Sequence, residues 1–81
     1  MSAHAQPEPM TDLLRAGDQL IWTMPDGAVI YIRVSSVDRR RNITHLRCHH
    51  GDRAWTRHHA GPLFPSMRRG SWCVADLLDQ L

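Results

Sequence analysis

A run of ten residues, 28–37, reads Ala-Val-Ile-Tyr-Ile-Arg-Val-Ser-Ser-Val and constrains the fold more than any other part of the chain. Its β-branched and aromatic side chains favour a strand. The turn sequence Pro25-Asp26-Gly27 precedes it, and residues 18–24 before the turn alternate between apolar and polar in the manner of a second strand. The sequence therefore predicts a β-hairpin. Its inward-facing side chains are expected to be Leu20, Trp22, Met24, Ile30, Ile32 and Val34.

A second hairpin is predicted over residues 43–50 and 53–59, which flank the dipeptide Gly51-Asp52. Alternate residues of a strand point to opposite faces of the sheet. Leu46, Cys48 and Trp55 share the parity of a core face. The opposite face is then expected to carry His45, Arg47, His49, Thr56 and His58.

The remaining segments are shorter and predict less regular structure. Residues 1–10 are small, polar and rich in proline, so we expect a mobile tail ahead of a single domain over 11–81. Thr11 is the expected cap of one helical turn that Gly17 ends, and residues 60–70 are expected to form a loop. Residues 71–73 are predicted as a short strand. An apolar stripe then predicts a short terminal helix through Val74, Leu77, Leu78 and Leu81.

Two segments resemble the opening of the SH3-like and Tudor-like barrels of small bacterial and phage proteins. The first is Leu14-Arg15-Ala16-Gly17-Asp18-x-Leu20-x-Trp22, and the second is the long strand that ends Val34-Ser35-Ser36-Val37-Asp38. The resemblance covers residues 13–58. Together with the pattern of short strands and tight turns, it favours a mainly β fold, a small antiparallel barrel of four or five strands with a short C-terminal helix. Trp22, Trp55 and Trp72 fall one to each strand region, so we expect them in the barrel core, with at least one of them only half covered. Folds of this class bind nucleic acids, peptides and proteins.

The charge of the chain is unevenly distributed although its total is only +2. All ten basic residues are arginine, and nine of them lie in residues 28–73 against two aspartates, so this middle segment carries +7. The flanking segments are acidic, at −3 over residues 1–27 and −2 over residues 74–81. A basic segment of this kind is typical of contact with phosphate groups.

The arginine residues predict a non-enzymatic module that binds nucleic acid. Arg39, Arg40 and Arg41 at a hairpin tip can each present a guanidinium group to phosphate, and Tyr31 can stack on a base. The alternative for this tip is a solvated loop that only maintains solubility. The expected binding face consists of Tyr31, Arg33, Arg39, Arg40, Arg41, Arg47, Arg57, Arg68 and Arg69.

A small interaction protein is the alternative function, an inhibitor or adaptor of phage or mobile-element type that docks on a host protein complex. Leu63, Phe64 and Met67 in the 60–70 loop are the candidate contact residues. The competing interpretation is that Leu63 and Phe64 cover the open end of the barrel. A homodimer formed through a strand edge is compatible with either function.

Neither a metal, a cofactor nor catalysis is expected. His45, His49 and His58 are weak metal candidates, because they would lie on one exposed sheet face, and their spacing fits no zinc motif. Cys48 is expected to pack as a small buried hydrophobic residue, and no carboxylate is placed to orient a Cys–His pair. The sequence contains neither a secretory leader nor the run of about 18 apolar residues that a membrane helix needs, so we expect a cytoplasmic protein.

Overall fold

The computed structural model describes residues 14–81, which form five strands and one short helix. The predicted tail over residues 1–10 and the start of the turn predicted from Thr11 lie outside this range. The elements are β1 Gln19–Thr23, β2 Val29–Asp38, β3 Ile43–His50, β4 Arg53–Ala60, β5 Met67–Arg69 and α1 Val74–Leu78. No helix within residues 14–81 combines the length and the apolar character that crossing a membrane requires.

All five strands belong to one antiparallel sheet in the order β4-β3-β2-β1-β5. Both predicted hairpins are confirmed, since β1 pairs with β2 and β3 pairs with β4. Gly27 and Gly51 have positive φ angles of 93° and 60°, which the two turns require and which glycine adopts without a steric penalty. Register pairs such as Leu20 with Ile32 and Cys48 with Trp55 put the predicted core residues on one face.

The expectation of a closed barrel is wrong. β4 and β5 are the two edges of the sheet, and they do not pair with each other. β5 has three residues, all of them occupied in pairing with β1. Side chains of the loop between β4 and β5 cover part of the core face instead, and the sheet remains open.

The core lies on what we call the inner face of the sheet. Its fully buried apolar side chains come from β1, β2, β3 and β5 and from the segment before β1. A bulge between Val34 and Ser36 inserts one extra residue in β2, and this shift places Val37 opposite the buried Thr44. The fully buried apolar residues are Leu14, Leu20, Ile32, Val34, Leu46, Cys48 and Met67.

The predicted strand at residues 71–73 is wrong, because the chain forms β5 earlier and then leaves the sheet edge. A Cβ on Gly70 would lie 2.7 Å from Cδ1 of Ile21, so a larger residue here would require the Ile21 side chain to shift. The side chain of Gln19 then donates to the carbonyl of Trp72 at 2.8 Å and accepts from its amide at 3.3 Å. The segment after β5 therefore crosses the face opposite the core, which we call the outer face.

The predicted terminal helix is confirmed as α1, although it is short. The carboxylate of Asp76 accepts a hydrogen bond of 2.7 Å from the amide of Cys73 and so caps its first turn. The apolar stripe of the helix is not buried, since Val74, Leu78 and Leu81 are 66%, 59% and 72% exposed.

Candidate functional site

The nine arginines of the basic segment do not form one surface. Register pairing divides the strand arginines between the two faces, because alternate residues point in opposite directions. The outer face carries Arg33, Arg47 and Arg68, the inner face carries Arg53, Arg57 and Arg69, and the β2–β3 turn carries Arg39, Arg40 and Arg41.

Arg57 and Arg69 lie apart from the outer-face arginines and interact within the fold. The guanidinium carbon of Arg57 lies 5.2 Å from the ring centroid of Trp22 and 5.5 Å from that of Phe64, so the cation packs over the aromatic rings of the inner face. Arg69 forms an ion pair with Asp18 at 3.3 Å. Placing these two arginines in a single binding face with Arg33 and Arg47 was therefore wrong.

The arginine turn between β2 and β3 is partly structural. Arg39 donates a hydrogen bond of 2.8 Å to the carbonyl of Leu14, which ties the turn to the segment before β1. The backbone amide of Arg41 donates to the Asp38 carboxylate at 3.2 Å, and its Nε lies 3.9 Å from that carboxylate. All three arginines of the turn are exposed, and the side chain of Arg41 is largely so.

Two outer-face arginines lie directly opposite each other. Arg33 of β2 pairs in register with Arg47 of β3, an arrangement in which Cα atoms are about 4.5–5.5 Å apart. Both side chains are exposed, and neither forms an ion pair with any residue in 14–81. Tyr31 and His49 form the next outer-face pair along the same strands. We call the following set the outer strip: Tyr31, Arg33, His45, Arg47, His49, His58 and Trp72.

Trp72 belongs to this strip and not to the core, which corrects the expectation from sequence. Its ring centroid lies 5.7 Å from that of Tyr31, 5.3 Å from that of His49 and 5.7 Å from the guanidinium carbon of Arg33. Its Nε1 donates a hydrogen bond of 2.9 Å to the carbonyl of Ile32. Sequence reasoning missed this residue because it placed Trp72 on a short strand at residues 71–73, whereas the chain there leaves the sheet edge and crosses the outer face. The glycine just before residues 71–73 is the signal that the chain turns over β1.

The three histidines that were weak metal candidates do not converge on one point. His45 and His58 are a register pair whose ring centroids are 4.6 Å apart. His49 packs against Trp72 instead, and no group of three metal-ligating side chains occurs within the described range. Burial lowers the pKa of His49, and the positive charges of Arg47 and Arg33 lower it further. Protonation of His49 beside these two cations is therefore disfavoured.

The candidate protein-contact residues of the 61–66 loop and β5 cover the core. Met67 is 1% exposed, so its side chain does not reach the surface and cannot contact a partner. Leu63 packs against the core cluster. Phe64 is 41% exposed, and its ring lies 5.8 Å from that of Trp22 and 4.7 Å from that of His59. Of these three residues, only Phe64 is exposed.

Comparisons with protein-family models, with curated proteins and with solved structures found no match. The interpretation of the outer strip therefore depends on its own chemistry. Two guanidinium groups side by side can each donate paired hydrogen bonds to an anion. The adjacent aromatic rings offer faces on which a planar group can stack.

Proposed function

We propose that this protein is a non-enzymatic module that binds single-stranded nucleic acid through the outer strip. The observation that carries the proposal is the register pair of Arg33 and Arg47 without a carboxylate partner in the described chain. Like charges directly opposite each other on neighbouring strands destabilise a sheet. A phosphate group between them replaces that repulsion with two charge-assisted interactions.

The neighbours of this arginine pair support a single strand over a duplex. Trp72 and Tyr31 lie beside the pair, and aromatic rings next to cations are the combination on which unpaired bases stack. The path from His49 along β3 to Ile43 covers six residue steps, about 20 Å, and leads to the exposed Arg40 and Arg41 at the next turn. The strip and this turn together would follow several consecutive phosphates.

We extend the proposal to the architecture and the compartment. The sheet is proposed to be an open variant of the SH3-like, Tudor-like class, and the return of β5 to pair with β1 after a four-strand meander supports this assignment. Cys48 and Cys73 are both free, one buried and one exposed. Free thiols fit a reducing compartment, which supports a cytoplasmic location.

Fluorescence anisotropy with labelled oligonucleotides tests the function. Single-stranded DNA, single-stranded RNA and a duplex of equal length are titrated at about 50 mM and about 200 mM salt. We expect the single strands to bind with a Kd near 10⁻⁵ M, roughly the range of sequence-independent binding, and to weaken steeply at the higher salt. Absence of binding to every oligonucleotide at the lower salt would overturn the proposal.

A second candidate function is docking on a protein complex as a small inhibitor or adaptor. The exposed aliphatic side chains of Val74, Leu78 and Leu81 favour it, because they have no role in the core and no use in binding phosphate. This candidate is supported if a purified complex binds the wild type but does not bind the Leu78→Glu variant. Equal binding of both proteins would exclude α1 as the docking element.

A further inference from the structure

The free edge of β4 is long and regular, and it carries charged side chains but neither a proline nor a bulge. β4 has eight residues, pairs only with β3 and continues in unbroken register from His50–Arg53 to Ile43–Ala60. Its sequence, Arg-Ala-Trp-Thr-Arg-His-His-Ala, contains no proline, and no bulge interrupts it. Bulges and prolines are among the devices that stop an edge strand from pairing with another chain.

The β3–β4 turn determines which backbone groups of β4 face this edge. Gly51 and Asp52 form a two-residue turn in which only the glycine has a positive φ angle, and this indicates a type II′ turn. In such a turn the flanking residues, His50 and Arg53, form a hydrogen-bonded pair. Hydrogen-bonded and non-hydrogen-bonded pairs alternate along an antiparallel ladder. The amides and carbonyls directed toward the free edge are therefore those of Ala54, Thr56, His58 and Ala60.

A groove on the inner face lies next to this edge. It has a volume of about 400 Å³ and is lined by Ala28, Ile30, His50, Arg53 and Trp55. Ile30 and Trp55 are only partly buried and supply apolar walls. Arg53 is exposed and forms no ion pair within residues 14–81, so its positive charge at the mouth of the groove is uncompensated there.

We propose that β4 binds an extended acidic peptide as an additional strand. One apolar side chain of the peptide would pack against Trp55, and one carboxylate of the peptide would pair with Arg53. Residues 53 and 55 share a face, so the two peptide side chains must be two positions apart. In a peptide that pairs antiparallel to β4, three consecutive residues from the N-terminal side are therefore an apolar residue, any residue, and then Asp or Glu. Backbone hydrogen bonds at an edge supply affinity in this mode, and alternate side chains supply specificity.

Charge favours this occupant over a second copy of the chain. β4 contains two arginines and no carboxylate, so pairing of two β4 strands would add positive charge to an edge that already carries it. An acidic peptide neutralises that charge. The proposed peptide site goes beyond the nucleic-acid function, because it uses the inner face and the edge of β4 while the outer strip lies on the opposite face.

The test uses full-length protein and labelled, end-blocked peptides in anisotropy titrations. The probe peptide is Thr-Ser-Thr-Leu-Thr-Asp-Thr-Ser. One control peptide has Lys in place of Asp, and a second has the same composition with Leu and Asp adjacent, which puts them on opposite faces. We expect the probe to bind at least about tenfold tighter than either control. In the Arg53→Glu variant the preference should reverse toward the Lys peptide.

Variants of Thr56 test the strand pairing itself. Thr56→Pro removes an amide that faces the free edge and should weaken probe binding at least about tenfold, whereas Thr56→Val should bind like the wild type. Urea unfolding of each variant verifies that it is folded. Equal affinity for all three peptides, or unchanged charge preference in Arg53→Glu, would overturn the proposal. A concentration-dependent dimer in light scattering that Thr56→Pro abolishes would also overturn it, because a second copy would then occupy the edge.

Discussion

Arg33 on β2 and Arg47 on β3 lie directly opposite each other on the outer face, and within residues 14–81 neither has an ion-pair partner. Carboxylates elsewhere in the described chain do form ion pairs with arginine, as Asp18 does with Arg69. Repulsion between adjacent like charges costs folding free energy. The pair therefore supports the proposal that an anion binds there.

Arg40 and Arg41 of the β2–β3 turn should contribute to affinity and little to stability. The double substitution of Arg40 and Arg41 to Ala removes exposed charge and leaves the bond from Arg39 to Leu14 in place. Each lost phosphate contact with a single strand should reduce the slope of log K against log salt by about 0.7. Anisotropy titrations at several salt concentrations measure this slope. An unchanged slope would exclude the turn from the interface.

Trp72 should hold the C-terminal segment on the outer face. Trp72→Phe keeps an aromatic ring but loses the hydrogen bond to the Ile32 carbonyl, so we expect a loss of about 1 kcal/mol in the free energy of unfolding. Trp72→Ala also loses the contacts with Tyr31 and His49 and should cost more than Trp72→Phe. Urea unfolding measures both losses. Wild-type stability of Trp72→Ala would contradict the packing of this segment.

A side chain at position 70 should displace the side chain of Ile21 and reduce stability. Gly70→Ala brings a Cβ within 2.7 Å of Cδ1 and 3.1 Å of Cγ1 of Ile21, and such overpacking costs about 1–3 kcal/mol. Ile21→Val removes Cδ1, so the double variant should lose less stability than the two single variants together. A double-mutant cycle in urea measures the coupling. Strict additivity would show that the two residues do not meet.

His49 should make the protein less stable in acid. Its pKa in the folded protein is lowered by burial and by Arg47 and Arg33, so the unfolded chain binds a proton more readily. Stability is then lost as the pH falls below about 6.5, the usual histidine pKa, and the loss ends below the pKa of the folded state. His49→Gln should lose less stability than the wild type between about pH 7.5 and pH 5, measured by urea midpoints. An identical loss in both proteins would contradict this assignment.

Hairpins and core parity were predictable because their signals are local. The run over 28–37, its Pro-Asp-Gly turn and the alternation around Gly51 each depend on neighbouring residues, and the structure confirms the strands and the burial of Leu20, Ile32, Leu46 and Cys48. The failure of the barrel to close was not predictable in the same way. Closure depends on whether the edge strands β4 and β5 pair with each other, and no short sequence segment determines that.

The composition of the outer strip was predictable only in part. Parity alone places Arg33, Arg47 and the three histidines on one face, and the register pairs confirm this placement. The same alternation places Arg57 on the inner face. The net charge of residues 28–73 does not show this, because it sums the arginines of both faces. Trp72 joins the strip through contacts far along the chain with Gln19 and Ile32, which sequence spacing does not reveal.

The most direct test of the outer strip compares Arg47→Glu with Arg53→Glu, two variants with the same change in net charge on opposite faces. Arg47→Glu replaces a repulsive pair with an attractive one, so we expect it to raise the free energy of unfolding by about 0.5–1 kcal/mol. It should weaken single-strand binding at least about tenfold, while Arg53→Glu weakens it only slightly. Equal binding by Arg47→Glu and the wild type, or equal loss in both variants, would contradict the assignment of nucleic-acid binding to the outer strip.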